Sequence, residues 1–316
     1  MQQTKHALGS DAVLTVVATS GDQAKTLLQA LWQQVERFEA SFSRFRIDSE
    51  LSRFNAQAGS ETVISNEFYD LLVASRKLSL DTKGAYNPFI LPALQQAGYI
   101  GSWPEPQKAN SKLDFSNRRI YPISSLTLTK GRARIPADAA LDFGGIGKGY
   151  LLDQLADYAV TKHVKGYWFS LGGDIVCQGY NEAGEPWHIG IQAAVGPAEA
   201  TAYAANIHGG RLAVATSGVT KRHGTKSGHS WHHLIDPRTG LPTSSDILTA
   251  TVVGPRAVYA DVYASCAVLL GSTEAQKFLR HKGVSALLQN RFTTSHSQSL
   301  QLVGKGITLE SGAKET

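Results

Sequence analysis

Four short runs, Tyr167-Trp-Phe-Ser-Leu171, Trp187-His-Ile-Gly-Ile191, Arg211-Leu-Ala-Val-Ala215 and Ile247-Leu-Thr-Ala-Thr-Val-Val253, follow one another, separated by Gly- and Pro-containing turns. Each has the β-rich composition of a strand, and this clustering constrains the fold most. Strict β-α-β alternation builds parallel sheets, whereas strands grouped between helices argue for an α+β fold with mixed or antiparallel sheets and packed helices. The helical spacing lies outside the cluster. After a buried strand at Asp11–Ala18, apolar residues fall at Leu27, Leu28, Leu31, Trp32, Val35 and Phe38, and again at Phe68, Leu71, Leu72 and Leu78. A third helix is predicted from Lys148, with Leu151, Leu152, Leu155, Tyr158 and Ala159 on one stripe. Two more are predicted at roughly 256–270 and 273–282. Residues 99–140, rich in Pro, Ser and Asn with short runs such as Ser125–Thr129, read as loops and hairpin strands.

A chain of 316 residues, 42% of them hydrophobic, buries a large core as one domain over residues 1–310 or as two closely joined lobes. Residues 311–316 read as a loose tail. The net charge of +5 is spread without a dense Lys/Arg run, so no nucleic-acid footprint is expected. Cys177 and Cys266 are the only cysteines, which excludes a cysteine metal tetrad and suggests no disulfide. Met1–His6 lacks the apolar core of a signal peptide, and no run of about 18 apolar residues marks a membrane segment. The expected compartment is the cytoplasm. A chain trimmed of an export signal and given a new methionine would read the same, which leaves the periplasm as the alternative.

Chemistry-bearing residues gather in separated segments. Leu141-Asp-Phe-Gly-Gly-Ile-Gly-Lys-Gly-Tyr150 brings glycine backbone and Lys148 to the start of a helix, where unpaired N–H groups and the helix dipole attract anions. It matches neither a Walker A loop nor the dinucleotide fingerprint, and a plain strand-to-helix turn is the other reading. Ser170-Leu-Gly-Gly-Asp-Ile175 and Ala215-Thr-Ser-Gly218 are further glycine turns, and Asp174 is either a supporting group or a turn cap. Among His223, His229, His232 and His233 no HExxH spacing or cysteine partner points to zinc. His233, just before Leu234-Ile-Asp-Pro-Arg-Thr-Gly240, is a candidate general acid or base. Asp261 and Ser265 stand at i and i+4 and offer two oxygens to a hard cation, or else share a solvent face.

In order, these segments resemble the ApbE family, the FAD:protein FMN transferases. Leu8-Gly9-Ser10 is similar to the family's Met-Gly-Thr start. Ser41-Phe-Ser-Arg-Phe45 and Asp48-Ser-Glu-Leu-Ser-Arg-Phe-Asn55 resemble its early serine-rich stretch, and Gly84-Ala-Tyr-Asn-Pro88 with Pro92 resembles its G-x-F-D-x-T segment. The likeness continues through Asp142–Tyr150, Ser170–Ile175, Gly184–Ile191, Ala215–Gly218, His233–Gly240 and Ala260–Ser265. It implies an α+β enzyme with an FAD cleft between lobes, which uses Mg²⁺ to transfer FMN from FAD to a threonine hydroxyl of an acceptor protein and releases AMP. By position, Asp142 and Lys148 match flavin-nucleotide contacts, and Phe45, Ile235 and Leu8 match further FAD contacts. Gly145, through its carbonyl, and the Asp261 and Ser265 side chains match the metal ligands, and His233 matches the histidine that assists proton transfer. Ser265 replaces the usual Thr, Asn87 and Phe89 replace Asp and Thr, and Leu8 replaces Met. The chain carries no copy of the family's acceptor motif, so self-flavinylation is not expected. An FAD pyrophosphatase and a non-catalytic FAD-binding protein are the competing classes.

Overall fold

A computed structural model describes residues 1–101, 119–195, 200–205, 209–221, 223–226, 229–291, 298–305 and 307–309; the tail read at 311–316 lies outside them. Among these residues run the helices α1 (Gly21–Phe42), α2 (Glu50–Ala56), α3 (Asn66–Asp81), α4 (Leu91–Ala97), α5 (Gly147–Val160), α6 (Ala257–Leu270) and α7 (Ser272–Lys282). The chain forms two compact units. The first holds Met1–Glu36, Ile146–Thr220 and Ser245–Thr316, and the second Arg37–Gly145 and Lys221–Ser244. No described helix is long and apolar enough to cross a membrane.

The first unit is built on an eight-stranded sheet whose spatial order is the chain order: Gln2–Ala7, Ser10–Val17, Gly166–Leu171, Asp174–Gly179, Leu212–Gly218, Ile247–Gly254, Ser285–Arg291 and Gln298–Val303. Every neighbouring pair is antiparallel, so of the two sheet types expected it is the antiparallel one that forms. Helix α6 lies against the fifth and sixth strands, with α5 and α7 beside it. Covered this way, α6 is apolar nearly all round and buries Val262, Ala264, Cys266, Ala267 and Val268. Ile189 and Ala204, from a small sheet of His188–Gln192, Ala200–Ala205 and Ile307–Leu309, pack with Ile175, Cys177, Val214 and Val253. The sixth strand is therefore buried along nearly its whole length.

The second unit has an aromatic core in which Phe42, Phe54, Phe68 and Phe143 meet at ring separations of 5.2–6.3 Å, mostly edge to face. The Asp48-Ser-Glu…Asn55 stretch stitches this unit together. Ser49 caps α2 by accepting from the Ser52 N–H, and Glu50 accepts from both the N–H and the hydroxyl of Ser65, the N-cap of α3. The Asn55 amide bonds both main-chain groups of Leu141, at 2.8 and 2.9 Å, and so anchors the segment that leads into Asp142. A second apolar cluster joins Ala93, Leu94, Ala97 and Tyr99 to Ile235. Asn87, one of the departures from the family pattern, is a buried group that donates to the Tyr121 carbonyl and accepts from the Phe89 N–H.

Candidate functional site

In the first unit, one end of the sheet gathers several of the singled-out residues. Leu8 and Gly9 form the two-residue turn between the first strands, with Ala7 opposite Ser10. Their φ angles of 55° and 68° are those of a turn that needs left-handed backbone at both positions, an unusual conformation for leucine. The Gly172-Gly173 turn lies alongside: Gly172 donates to the Asp11 carbonyl, and a Cβ there would come within 2.7 Å of the Ser10 hydroxyl and 3.7 Å of the Lys148 Cδ. Lys148, in the first turn of α5, forms an ion pair with the buried Asp174. The other Asp174 oxygen accepts from the Thr216 N–H at 3.1 Å. Asp174 thus supports Lys148 and ties it to the fifth strand.

Asp261 does not lie on a solvent face. Only 3% exposed, it accepts from the Gly149 N–H at 3.0 Å. Helices α5 and α6 approach so closely there that a Cβ on Gly149 would sit 2.4 Å from the Ala257 carbonyl oxygen. One turn further along α6, the Ser265 hydroxyl lies 2.8 Å from that of Ser217 on the fifth strand. A buried carboxylate and a hydroxyl one helical turn apart form a hard oxygen set that fits Mg²⁺. Among the described residues no three His, Cys, Asp or Glu gather as a metal cluster. His223 pairs with His232 across a short hairpin instead.

In the second unit the organising residue is Arg44, which the sequence analysis did not single out. Its side chain, 6% exposed, is paired with Asp142 at 3.1 Å and donates twice to the Tyr99 carbonyl, at 3.2 and 3.1 Å. The guanidinium also lies over two rings that meet edge to face, 4.3 Å from the Phe45 centroid and 4.6 Å from that of Tyr99. Asp142 turns its other oxygen to the Gly144 N–H at 2.8 Å, which bends the glycine segment. Gly145 follows, with the Tyr86 ring 3.7 Å from where a Cβ would be. Phe45 keeps 43% of its surface exposed, so a planar ligand can reach the ring that Arg44 braces.

Tyr99 extends this group to the histidine segment, its ring edge-on to His233 at 6.3 Å. Ile235 is 2% exposed in the same cluster. The segment turns sharply because Gly240 donates to the Asp236 carbonyl and Arg238 forks onto the Asp236 carboxylate at 2.7–3.1 Å. Burial pushes the Asp236 carboxyl up, but the Arg238 hydrogen bonds and charge outweigh it and hold the group below its ordinary value. His232 is fixed as well. Its Nε2 lies 2.9 Å from the Thr243 carbonyl, its Nδ1 accepts from the Leu234 N–H, and burial lowers its pKa.

Each unit thus brings its own share of the predicted residues together: Leu8, Lys148, Asp261 and Ser265 in the first, and Phe45, Asp142, Gly145, His233 and Ile235 in the second. Against known proteins, the chain matches the model of the ApbE family over residues 8–288. It is 27% identical to the FAD:protein FMN transferase of Haemophilus influenzae over 299 residues, covering 91% of this chain and 85% of that protein. A likeness of 29% over 252 residues links it to the FAD:protein FMN transferase of Vibrio cholerae, covering 78% and 74%. Among solved structures, the flavin transferase ApbE from Vibrio cholerae shares the fold with a TM-score of 0.80 at 23% identity, over 96% of each chain.

Proposed function

This chain belongs to the ApbE family, and from that membership we propose that it transfers FMN from FAD to a threonine hydroxyl of an acceptor protein, with Mg²⁺ and with release of AMP. The observation that carries this reading is the buried Asp261 and the half-buried Ser265, one turn apart on α6 and fixed by Gly149 and Ser217, close to the first turn of α5 with its Lys148. Phosphoryl transfer asks a protein mainly to position and neutralise, and a cation site beside a lysine-bearing helix start suits that task.

Asp261, Ser265 and the Gly145 carbonyl would hold the cation. Bound there, Mg²⁺ would offset the charge that builds on the pyrophosphate. Lys148, kept in place by Asp174, neutralises phosphate oxygens; Phe45, Asp142, Ile235 and Leu8 take up the rest of the dinucleotide. His233 accepts the proton of the acceptor threonine as its oxygen bonds to the FMN-side phosphorus and the bond to the AMP-side oxygen breaks.

The test is incubation with FAD, Mg²⁺ and a candidate acceptor, followed by intact-protein mass and nucleotide analysis. The expected result is an acceptor heavier by one FMN residue, with one AMP released per adduct. Free FMN with AMP in the presence of a competent acceptor would mark a pyrophosphatase instead, and unchanged FAD would mark a binding protein.

A further inference from the structure

We infer that Ser217 is a positioning residue for the cation site, acting as the acceptor for the proton of Ser265; this rests on the metal reading above. A neutral hydroxyl that ligates a cation presents an oxygen lone pair, so its single proton must be directed to another acceptor. Left alone on a helix, a serine hydroxyl has two competing options. It can rotate among three χ1 wells, and it can turn back to the carbonyl four residues earlier. For Ser265 the alternative acceptor is the Ser217 oxygen at 2.8 Å, on a different element.

Ser217 is itself held. Its strand pairs with Ile247–Gly254 in the register Ser217↔Ala250, Thr216 before it donates to Asp174, and Val219 after it donates to the Leu248 carbonyl. Gly218 fits so tightly that a Cβ would lie 2.7 Å from the Leu248 oxygen. Ser217 therefore presents its oxygen from a fixed point of the sheet, and the Ser265 proton directed there leaves the Ser265 lone pairs available. The same strand thus steadies two groups, Lys148 through Thr216 and Asp174, and Ser265 through Ser217.

The experiment measures binding of Mn²⁺, as a spectroscopic substitute for Mg²⁺, to the full chain by the loss of its free electron-paramagnetic-resonance signal, alongside thermal melting in EDTA. Ser217→Ala and Ser217→Cys lose a good acceptor and should bind about tenfold more weakly, the scale of one hydrogen bond. Ser217→Thr keeps the oxygen and should bind like the parent chain. All should melt in EDTA close to the parent. Parent-like affinity in the Ala and Cys variants, or binding as weak in the Thr variant as in those two, would overturn the inference and leave the proposed function standing. Absence of Mn²⁺ binding by the parent chain would overturn both.

Discussion

Asp153 and Asp261 cap each other's helices. Asp153, on α5, accepts from the Ala257 and Val258 N–H groups that open α6, each at 3.0 Å, and Asp261, on α6, accepts from the Gly149 N–H that opens α5, also at 3.0 Å. Neither helix receives a side-chain cap from its own N-cap residue, and both aspartates are 3% exposed. Each carboxylate meets the positive end of a helix dipole, and Asp153 is further paired with Arg211 and Arg256. The helix that carries the candidate cation ligands is thereby fixed to the helix that carries Lys148.

Asp153→Ala should lower stability by about 3 kcal/mol, because it leaves two helix N–H groups and two arginines without their shared carboxylate. Asp153→Asn, which keeps an acceptor, should cost less. Urea unfolding of both variants is the measurement, and a loss under about 1 kcal/mol for the alanine variant would contradict the capping role.

Asp261→Asn retains an oxygen for the Gly149 N–H but not the charge for a cation. Its melting in EDTA should stay near that of the parent chain while Mg²⁺ binding disappears and FMN transfer falls by a factor on the order of 10³ or more. EDTA should abolish transfer in the parent chain, and added Mg²⁺ should restore it. Retained Mg²⁺-dependent turnover in the variant would reduce Asp261 to a helix cap.

His233→Ala should still bind FAD, followed by flavin fluorescence, yet transfer FMN roughly 10²- to 10⁴-fold more slowly. Unchanged transfer would remove the proton-transfer role. Lost FAD binding would recast His233 as a ligand contact, in keeping with its place against Tyr99.

His232 gives the folded state a pH dependence of known sign. The ring is held neutral, with Nδ1 accepting from Leu234 and Nε2 facing the Thr243 carbonyl, and burial lowers its pKa below the ordinary 6.5. The unfolded chain therefore binds more protons in the window below pH 6.5, so stability contributed by the neutral ring is present above that pH and is lost as pH falls through the folded-state value. Chemical denaturation at several pH values should show this slope in the parent and a flatter one in His232→Gln. A His232 titration above pH 6.5 by NMR would contradict it.

What the sequence made legible follows from periodicity. Helices α1, α3, α5, α6 and α7 show enough turns for their apolar spacing to stand out, whereas α2 and α4, at seven residues each, do not. The first strand, Gln-Gln-Thr-Lys-His-Ala, escaped because it lies at the sheet edge and is largely exposed. The fourth was hidden behind Gly172-Gly173, which marks the end of one strand more plainly than the start of the next. Asp261 also read as a solvated residue because α6 is apolar on nearly every side, so no polar face gave its direction away. Arg44 and Ser217 lay within segments that were singled out, but nothing local gave their side chains a role. Their partners lie 55 and 48 residues away, at Tyr99 and Ser265, and only the folded chain brings them together.

The chain order of the eight-stranded sheet has a consequence for synthesis. Ser10–Val17 pairs with Gly166–Leu171, and the long segment Arg37–Gly145 is made between them. At ribosomal rates, the N-terminal hairpin waits on the order of ten seconds with one strand edge unpaired. During that interval it is open to mispairing with another nascent chain. Co-translational chaperone capture should therefore matter most before Leu171 emerges, and moving the hairpin to the far end of the gene by circular permutation would shift that exposure to the end of synthesis.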